Sequence, residues 1–136
     1  MVVIKAATLG ALCAYAAVGD VETASGIVSF LLDVLRLPGG AFASAQDSES
    51  VIDGVRNEGG YYARDTAERA HLAPPPLDAK VLTGLNGLAI GALADAGVRF
   101  DRPDWITAAS ELLVDASHTN ARAVAQRQTE SRTEPH

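Results

Sequence analysis

Cysteine and aromatic residues are scarce in this sequence of 136 residues. Cys13 is the only cysteine, so the chain has neither a disulfide framework nor the paired cysteines of a zinc or redox site. Aromatic residues make up 5% of the chain although 48% of it is hydrophobic, and alanine, leucine and valine supply most of that share. Small aliphatic side chains favour closely packed helices. We therefore predict an all-α protein in which Cys13 is a buried structural thiol.

Positive charge is also in short supply. The sequence has 11 lysines and arginines against 17 acidic residues, which gives a net charge of -6. No stretch combines basic with aromatic residues, so we predict no nucleic-acid partner. The three histidines, His71, His118 and His136, lack the spacing of metal ligands. We assign no metal ion and no cofactor.

No hydrophobic run is long enough to cross a membrane. The most apolar stretch runs from Ala6 to Val18, which is shorter than the roughly 20 residues that a bilayer requires. Lys5 alone makes a poor basic region for a secretory signal. We predict a cytoplasmic protein that has no membrane partner and whose first helix is buried.

Four segments have the periodicity of helices, at about 2–18, 21–36, 83–96 and 103–117. The first and third are apolar nearly all round, whereas the second and fourth have one polar face. This alternation predicts two helix hairpins of a layered ring, with the first and third helices side by side in the inner layer. Gly87 and Gly91 lie one turn apart and are expected to face the first helix.

The connection over 37–82 shows no helical period except a doubtful turn over Thr66 to His71. Connections of this length tend to be functional or disordered. We expect the stretches around Phe42 and Tyr61-Tyr62 to form a short two-stranded β-ribbon, with Gln46 to Glu58 as its tip. Residues 1–117 then form one partial domain, and the polar residues 118–136 are predicted to be a frayed or disordered tail.

Three motifs in the central part of the chain carry a family resemblance. They read Gly39-Gly40-Ala41-Phe42-Ala43-Ser44-Ala45-Gln46-Asp47, then Glu58-Gly59-Gly60-Tyr61-Tyr62, then Asp78-Ala79-Lys80-Val81-Leu82-Thr83-Gly84-Leu85-Asn86-Gly87-Leu88. In this order they resemble the spermatogenesis-associated protein 20 family of thioredoxin domain-containing proteins. The resemblance covers about Ala6 to Ser117.

That resemblance implies two αα-hairpins of an incomplete (α/α)6 toroid, the fold of six-hairpin glycosidases, and a carbohydrate-related role. The chain departs from the family pattern in several places. Ala79 and Leu85 replace an aspartate and a tryptophan, and the thioredoxin-like domain and a helical insert are missing. We therefore expect a fragment, a truncated gene product or a degenerate paralogue.

Four acidic residues, Asp47, Glu49, Glu58 and Asp78, fall in the connections between helices. In an (α/α) toroid such connections gather at the mouth of the central cavity. Paired carboxylates there act as acid and base on a sugar or bind its hydroxyl groups. Asp47 and Asp78 are the catalytic candidates, and Glu49 and Glu58 are candidates for ligand binding. The alternative is that all four cap helices and solvate loops.

Four further residues are candidates for ligand binding. Tyr61 and Tyr62 offer a stacking platform, although in a strand only one of them points inward. Lys80 either binds a ligand or forms an ion pair with Asp78. Asn86 begins an apolar helix, so its amide either ties the loop to that helix or faces a ligand.

Two functions remain open from the sequence. One is a carbohydrate-active or carbohydrate-binding protein related in fold to sugar epimerases and glycosidases, with little or no catalysis because Ala79 and Leu85 remove an acid and an aromatic ring. The other is a non-enzymatic remnant or helical interaction module. An incomplete ring also leaves apolar helix flanks open, which predicts a homo-oligomer.

Overall fold

The computed structural model describes residues 6–133, and it is mostly helical, with two small β-ribbons. A π-helical segment, Phe30–Leu35, follows the second helix directly. The helices are α1 (Ala6–Val18), α2 (Val21–Ser29), α3 (Thr66–Arg69), α4 (Thr83–Arg99) and α5 (Pro103–Thr133). The strands are β1 (Ala45–Gln46), β2 (Glu49–Ile52), β3 (Val55–Glu58) and β4 (Leu77–Asp78).

The first hairpin turns at Gly19-Asp20. Gly19 has a φ of 78°, a conformation that favours glycine, and ends α1. The carboxylate of Asp20 accepts a hydrogen bond of 3.0 Å from the backbone N–H of Thr23 and so caps α2. The second hairpin consists of α4 and α5.

The two hairpins meet through α1 and α4, which contact each other while α2 and α5 flank them. This confirms the side-by-side placement predicted for the first and third helices. The core between the helices is built from aliphatic side chains around one tryptophan. Its most deeply buried members include Leu12, Val28, Leu93, Trp105 and Leu112.

The expectation that α4 is covered on all sides is wrong. Leu88 and Val98 are 61% and 71% exposed. A Cβ added at Gly87 or Gly91 would meet no atom within 4 Å, so neither glycine faces α1. The close approach lies instead at Gly97, where a Cβ would meet the side chain of Ile106 at 2.7 Å. The reason is that the main neighbours of α4 are α1 and α5, and these cover one side of it.

The expectation for Cys13 is wrong in the same way. Its side chain is exposed on α1. Helix α1 contacts α2 and α4, while the buried side chains that the structure describes on it are Leu12 and Ala16. A helix with apolar residues on every side is therefore not buried on every side.

The connection between the hairpins contains β-structure, but not the ribbon that was predicted. Strand β2 pairs with β3 through a tight turn at Asp53-Gly54, whose φ values are 52° and 79°. Strand β1 pairs with β4 across the base of the connection. Phe42 instead forms an isolated bridge with Arg36, and Tyr61-Tyr62 lies in a turn.

Helix α5 continues to Thr133, beyond residue 117, where the sequence predicted its end. Alanine, arginine and glutamine dominate residues 121–128, and these residues have high helix propensity. The prediction of a tail rested on the lack of bulky apolar residues there and did not include this propensity. Residues 2–5 of the first predicted helix and 134–136 of the predicted tail lie outside the described residues. Within the described part, no helix has the length and apolar character needed to cross a membrane.

Candidate functional site

A cavity lies between the first hairpin and the central connection. Its volume is about 750 Å³, within the usual range for small-molecule sites. We call it the tyrosine pocket. Its walls come from α1, the π-helical segment, α3 and the proline-rich return. The lining residues that matter for its chemistry are Thr8, Asp33, Tyr61, Tyr62, Thr66 and Arg69.

The two tyrosines are held in different ways. Their rings meet edge to face, with centroids 5.4 Å apart and an interplanar angle of 86°. The hydroxyl of Tyr62 donates a hydrogen bond of 2.6 Å to the backbone carbonyl of Asp47. Burial raises the pKa of Tyr62, and the proximity of Tyr61 and Asp47 raises this pKa further. Tyr62 thus fixes the wall, which leaves Tyr61 as the candidate contact for a ligand ring.

Helix α3 places a cation beside Tyr61. Asp65 and Glu68 form a capping box that begins this short helix, with each side chain accepting a hydrogen bond from the other residue's backbone N–H. Arg69 lies one residue later. Its guanidinium carbon is 5.9 Å from the centroid of the Tyr61 ring, and its Nη2 donates to the hydroxyl of Thr66 at 3.5 Å.

Asp33 supplies the carboxylate of the tyrosine pocket. Neither Asp33 nor Arg69 is ion-paired within the described part of the chain, so both charges can meet a ligand. Neither residue was a candidate from the sequence. Asp33 lies in the segment predicted as a helix with one polar face, and Arg69 lies in the doubtful turn, so no sequence signal joined them to the tyrosines.

The predicted acidic residues lie outside the tyrosine pocket. Asp47 and Glu49 line a separate hollow of about 260 Å³. The carboxylate of Asp47 accepts the backbone N–H of Glu49 at 3.1 Å, and Glu49 forms a 2.6 Å ion pair with Arg56. Glu58 accepts a 3.4 Å hydrogen bond from the hydroxyl of Ser48. These contacts hold Asp47, Glu49 and Glu58 to the turns and strands of the connection, whereas the stated alternative was that the acids cap helices and solvate loops.

Asp78 lies on the strand that neighbours the Asp47 segment. Asp78 is the register partner of Ala45. The N–H of Asp47 donates to the carbonyl of Pro76. The ribbon of β1 and β4 therefore brings the two predicted catalytic residues, Asp47 and Asp78, close together in the backbone. The carboxylate of Asp78 accepts the backbone N–H of Lys80 at 3.1 Å. The structure thus joins Asp78 to Lys80 through the backbone of the loop.

Asn86 is buried and bonded to the chain itself. Its side-chain oxygen accepts the N–H of Phe42 at 2.8 Å, and its amide nitrogen donates to the carbonyls of Phe42 at 3.4 Å and Leu82 at 3.0 Å. Of the two roles that the sequence left open, these bonds supply the first, in which Asn86 ties the loop to α4.

No group of three or more histidine, cysteine, aspartate or glutamate side chains among the described residues could hold a metal ion. Comparison of the chain with protein-family models, curated proteins and solved structures gave no match of any kind. The resemblance of the three motifs therefore stays a prediction from the sequence. The tyrosine pocket brings an aromatic pair, a carboxylate and a guanidinium to one cavity.

Proposed function

We propose that the chain binds a carbohydrate in the tyrosine pocket and does not convert it. The observation that carries this proposal is the placement of Tyr61, Arg69 and Asp33 around one cavity. An aromatic ring packs against the C–H face of a sugar, and charged side chains hydrogen-bond its hydroxyl groups. The family resemblance of the motifs supports the same ligand class.

Binding without conversion follows from the distribution of the acids. Glycoside chemistry ordinarily uses two carboxyl groups placed on either side of the scissile bond. Asp33 is the carboxylate that lines the tyrosine pocket, whereas Asp47 lines the other hollow and Asp78 contributes to neither lining. A single carboxylate supplies one of the two proton-transfer groups, which favours recognition over catalysis.

Titration of the full chain with hexoses, N-acetylhexosamines and their disaccharides tests the proposal. Saturation-transfer NMR should detect at least one ligand, and Tyr61→Ala should weaken its binding by about tenfold, the effect of losing one ring contact. The matched control is Tyr15→Ala, because Tyr15 lies exposed on α1 outside the pocket. No binding of any sugar, or equal losses in the two variants, would reject the proposal.

The second candidate, a helical interaction module, rests on the open face of α4. Leu88 and Val98 are largely exposed there, and three glycines, Gly84, Gly87 and Gly91, are exposed on the same helix. Such a surface favours contact with another apolar surface. A hydrophobic dye should bind the wild-type chain, and Leu88→Ser should reduce that binding. Unchanged dye binding in Leu88→Ser would exclude α4 as the contact surface.

A further inference from the structure

We infer that the sugar in the tyrosine pocket is anionic and that its acidic group binds Arg69, an inference that rests on the proposed function. Arg69 is the one basic residue among the described residues that line this pocket. Its side chain is half-buried, so its charge has lost part of its contact with water. A charged group that is partly removed from water is stabilised by an opposite charge. The pocket therefore favours a ligand that supplies one.

The described chain itself does not neutralise Arg69. Its Nη2 donates to the hydroxyl of Thr66 at 3.5 Å, a long hydrogen bond, and its guanidinium carbon lies 5.9 Å from the centroid of the Tyr61 ring. Both neighbours are uncharged, and no carboxylate in the described part of the chain forms an ion pair with Arg69. A guanidinium carries several N–H donors, which match the oxygens of a carboxylate or a phosphate group. Most of those donors are left for the ligand.

Gln46 calls for a hydrogen-bond donor on the same ligand. Its side chain is only 3% exposed and lines the tyrosine pocket, and its Nε2 donates to the backbone carbonyl of Pro75 at 3.1 Å. Because that carbonyl can only accept, the bond establishes which end of the amide is the nitrogen. The side-chain oxygen accepts no hydrogen bond from the described chain, and a buried acceptor without a donor is costly. A sugar hydroxyl supplies that donor, so the fitting ligand combines an acidic group with hydroxyl groups.

The carboxylate of Asp33 opposes an anion only weakly. Asp33 lies on the other wall of the pocket, in the π-helical segment, and it forms no ion pair with Arg69. Its side chain is exposed, whereas that of Arg69 is half-buried. Water and salt screen an exposed charge more strongly than a half-buried one. The attraction of Arg69 for an anion therefore exceeds the repulsion from Asp33, which is left to accept hydrogen bonds from hydroxyl groups.

Matched sugars that differ only at carbon 6 test the charge of the ligand. Calorimetric titration of the full chain compares glucose, glucuronate and glucose 6-phosphate, and then the corresponding three sugars of galactose. At least one anionic sugar should bind about tenfold more tightly than its neutral counterpart, the effect of one charge-assisted contact. The tighter of the two anionic forms identifies a carboxylate or a phosphate as the preferred group. Raising sodium chloride from about 50 mM to about 500 mM should reduce this preference, because salt screens the contact.

The possible failures of this titration are distinguishable. Equal binding of the neutral and anionic sugars would overturn the inference of an anionic ligand and leave the proposed carbohydrate site standing. No binding of any sugar would reject both. Acetate and inorganic phosphate are the comparison anions. If either binds as tightly as the anionic sugars, the pocket recognises an anion without its sugar, and the inference is overturned.

Substitution of Arg69 tests where the acidic group binds. Arg69→Gln should weaken binding of the anionic sugar by about tenfold and that of its neutral counterpart by less than about threefold, whereas Arg69→Lys should keep part of the preference because it keeps the charge. The matched control is Arg56→Gln, since Arg56 lies in the neighbouring hollow and should leave both affinities unchanged. Circular dichroism establishes that the variants fold. Equal losses for the two sugars in Arg69→Gln, or the same selective loss in Arg56→Gln, would overturn the inference.

Discussion

The side chain of Asn86 hydrogen-bonds both the N–H and the carbonyl of Phe42, a residue 44 positions earlier in the chain. These bonds connect the first turn of α4 to the segment that follows the π-helical segment. Phe42 is itself buried in the core. One amide therefore fixes where the long connection leaves the first hairpin and where the second hairpin begins.

Replacement of this amide should be costly. Asn86→Ala leaves the buried N–H and carbonyl of Phe42 without their side-chain partner, and we expect a loss of about 2 to 3 kcal/mol in the free energy of unfolding. Urea denaturation of the wild type and the variant measures this loss in the free energy of unfolding. The exposed Asn57 on β3 provides the control, for which Asn57→Ala should cost less than about 0.5 kcal/mol. Equal losses would mean that the contact between Asn86 and Phe42 contributes little.

Two glycines should respond in opposite directions to alanine. Gly40 has a φ of 96°, and a Cβ there would collide with the carboxylate of Asp115, so Gly40→Ala should destabilise the chain by about 1 to 3 kcal/mol. Gly87 is exposed within α4 with no neighbour for a Cβ, so Gly87→Ala should stabilise it by about 0.5 to 1 kcal/mol. Thermal unfolding of both variants checks the signs. Destabilisation by Gly87→Ala would instead support the close contact between Gly87 and α1 that the sequence predicted.

The cap of α2 should make stability depend on acid pH. Hydrogen bonds from the backbone N–H and the hydroxyl of Thr23 hold the pKa of Asp20 below its ordinary value. Its stabilising contribution is therefore complete above the pKa of the unfolded chain, near 3.9, and is lost as the pH falls through the lower folded pKa. Asp20→Asn keeps a capping oxygen that does not titrate, so its melting temperature should fall less than that of the wild type below about pH 4. Equal falls in the melting temperature of the two proteins below about pH 4 would contradict the assignment of Asp20 as the titrating cap.

The phenol of Tyr62 should matter for folding more than that of Tyr61. Tyr62→Phe removes the donor to the carbonyl of Asp47 and should cost about 0.5 to 1.5 kcal/mol. Because the folded pKa of Tyr62 is raised, this contribution is present below the unfolded pKa of about 10 and is lost as the pH rises through the folded value. Chemical denaturation of Tyr62→Phe and Tyr61→Phe at neutral and alkaline pH compares them. A larger loss in Tyr61→Phe would reverse the assigned roles.

The sequence predicted where the helices at Val21, Thr83 and Pro103 begin because start signals are local. Gly19-Asp20 and Pro103 mark hairpin turns and helix starts through backbone preferences that depend on few neighbours. It did not predict which apolar faces stay open, since Leu88 and Leu93 look alike in the sequence and differ only in what packs against them. The exposure of Leu88 depends on the absence of a neighbouring helix, which no local pattern records.

The candidate site was predictable only in part for the same reason. Tyr61 and Tyr62 were recognisable as an aromatic pair within a motif. Asp33 lies before the long connection and Arg69 lies within it, and only the fold brings them to one cavity. The acidic residues of the motifs drew attention because of the family resemblance, but Asp47 and Asp78 are each bonded to nearby backbone N–H groups.

Mapping a bound sugar onto the backbone amides tests the central claim most directly. Two-dimensional ¹H–¹⁵N NMR of the labelled full chain, titrated with the tightest sugar from the screen, reports which amides sense the ligand. We predict saturable shifts at Tyr61, Tyr62, Thr66 and Arg69, and none of comparable size at Glu49 or Arg56 in the neighbouring hollow. Saturable shifts confined to Glu49 and Arg56, or no saturable shift with any sugar, would contradict the assignment of the tyrosine pocket as a carbohydrate site.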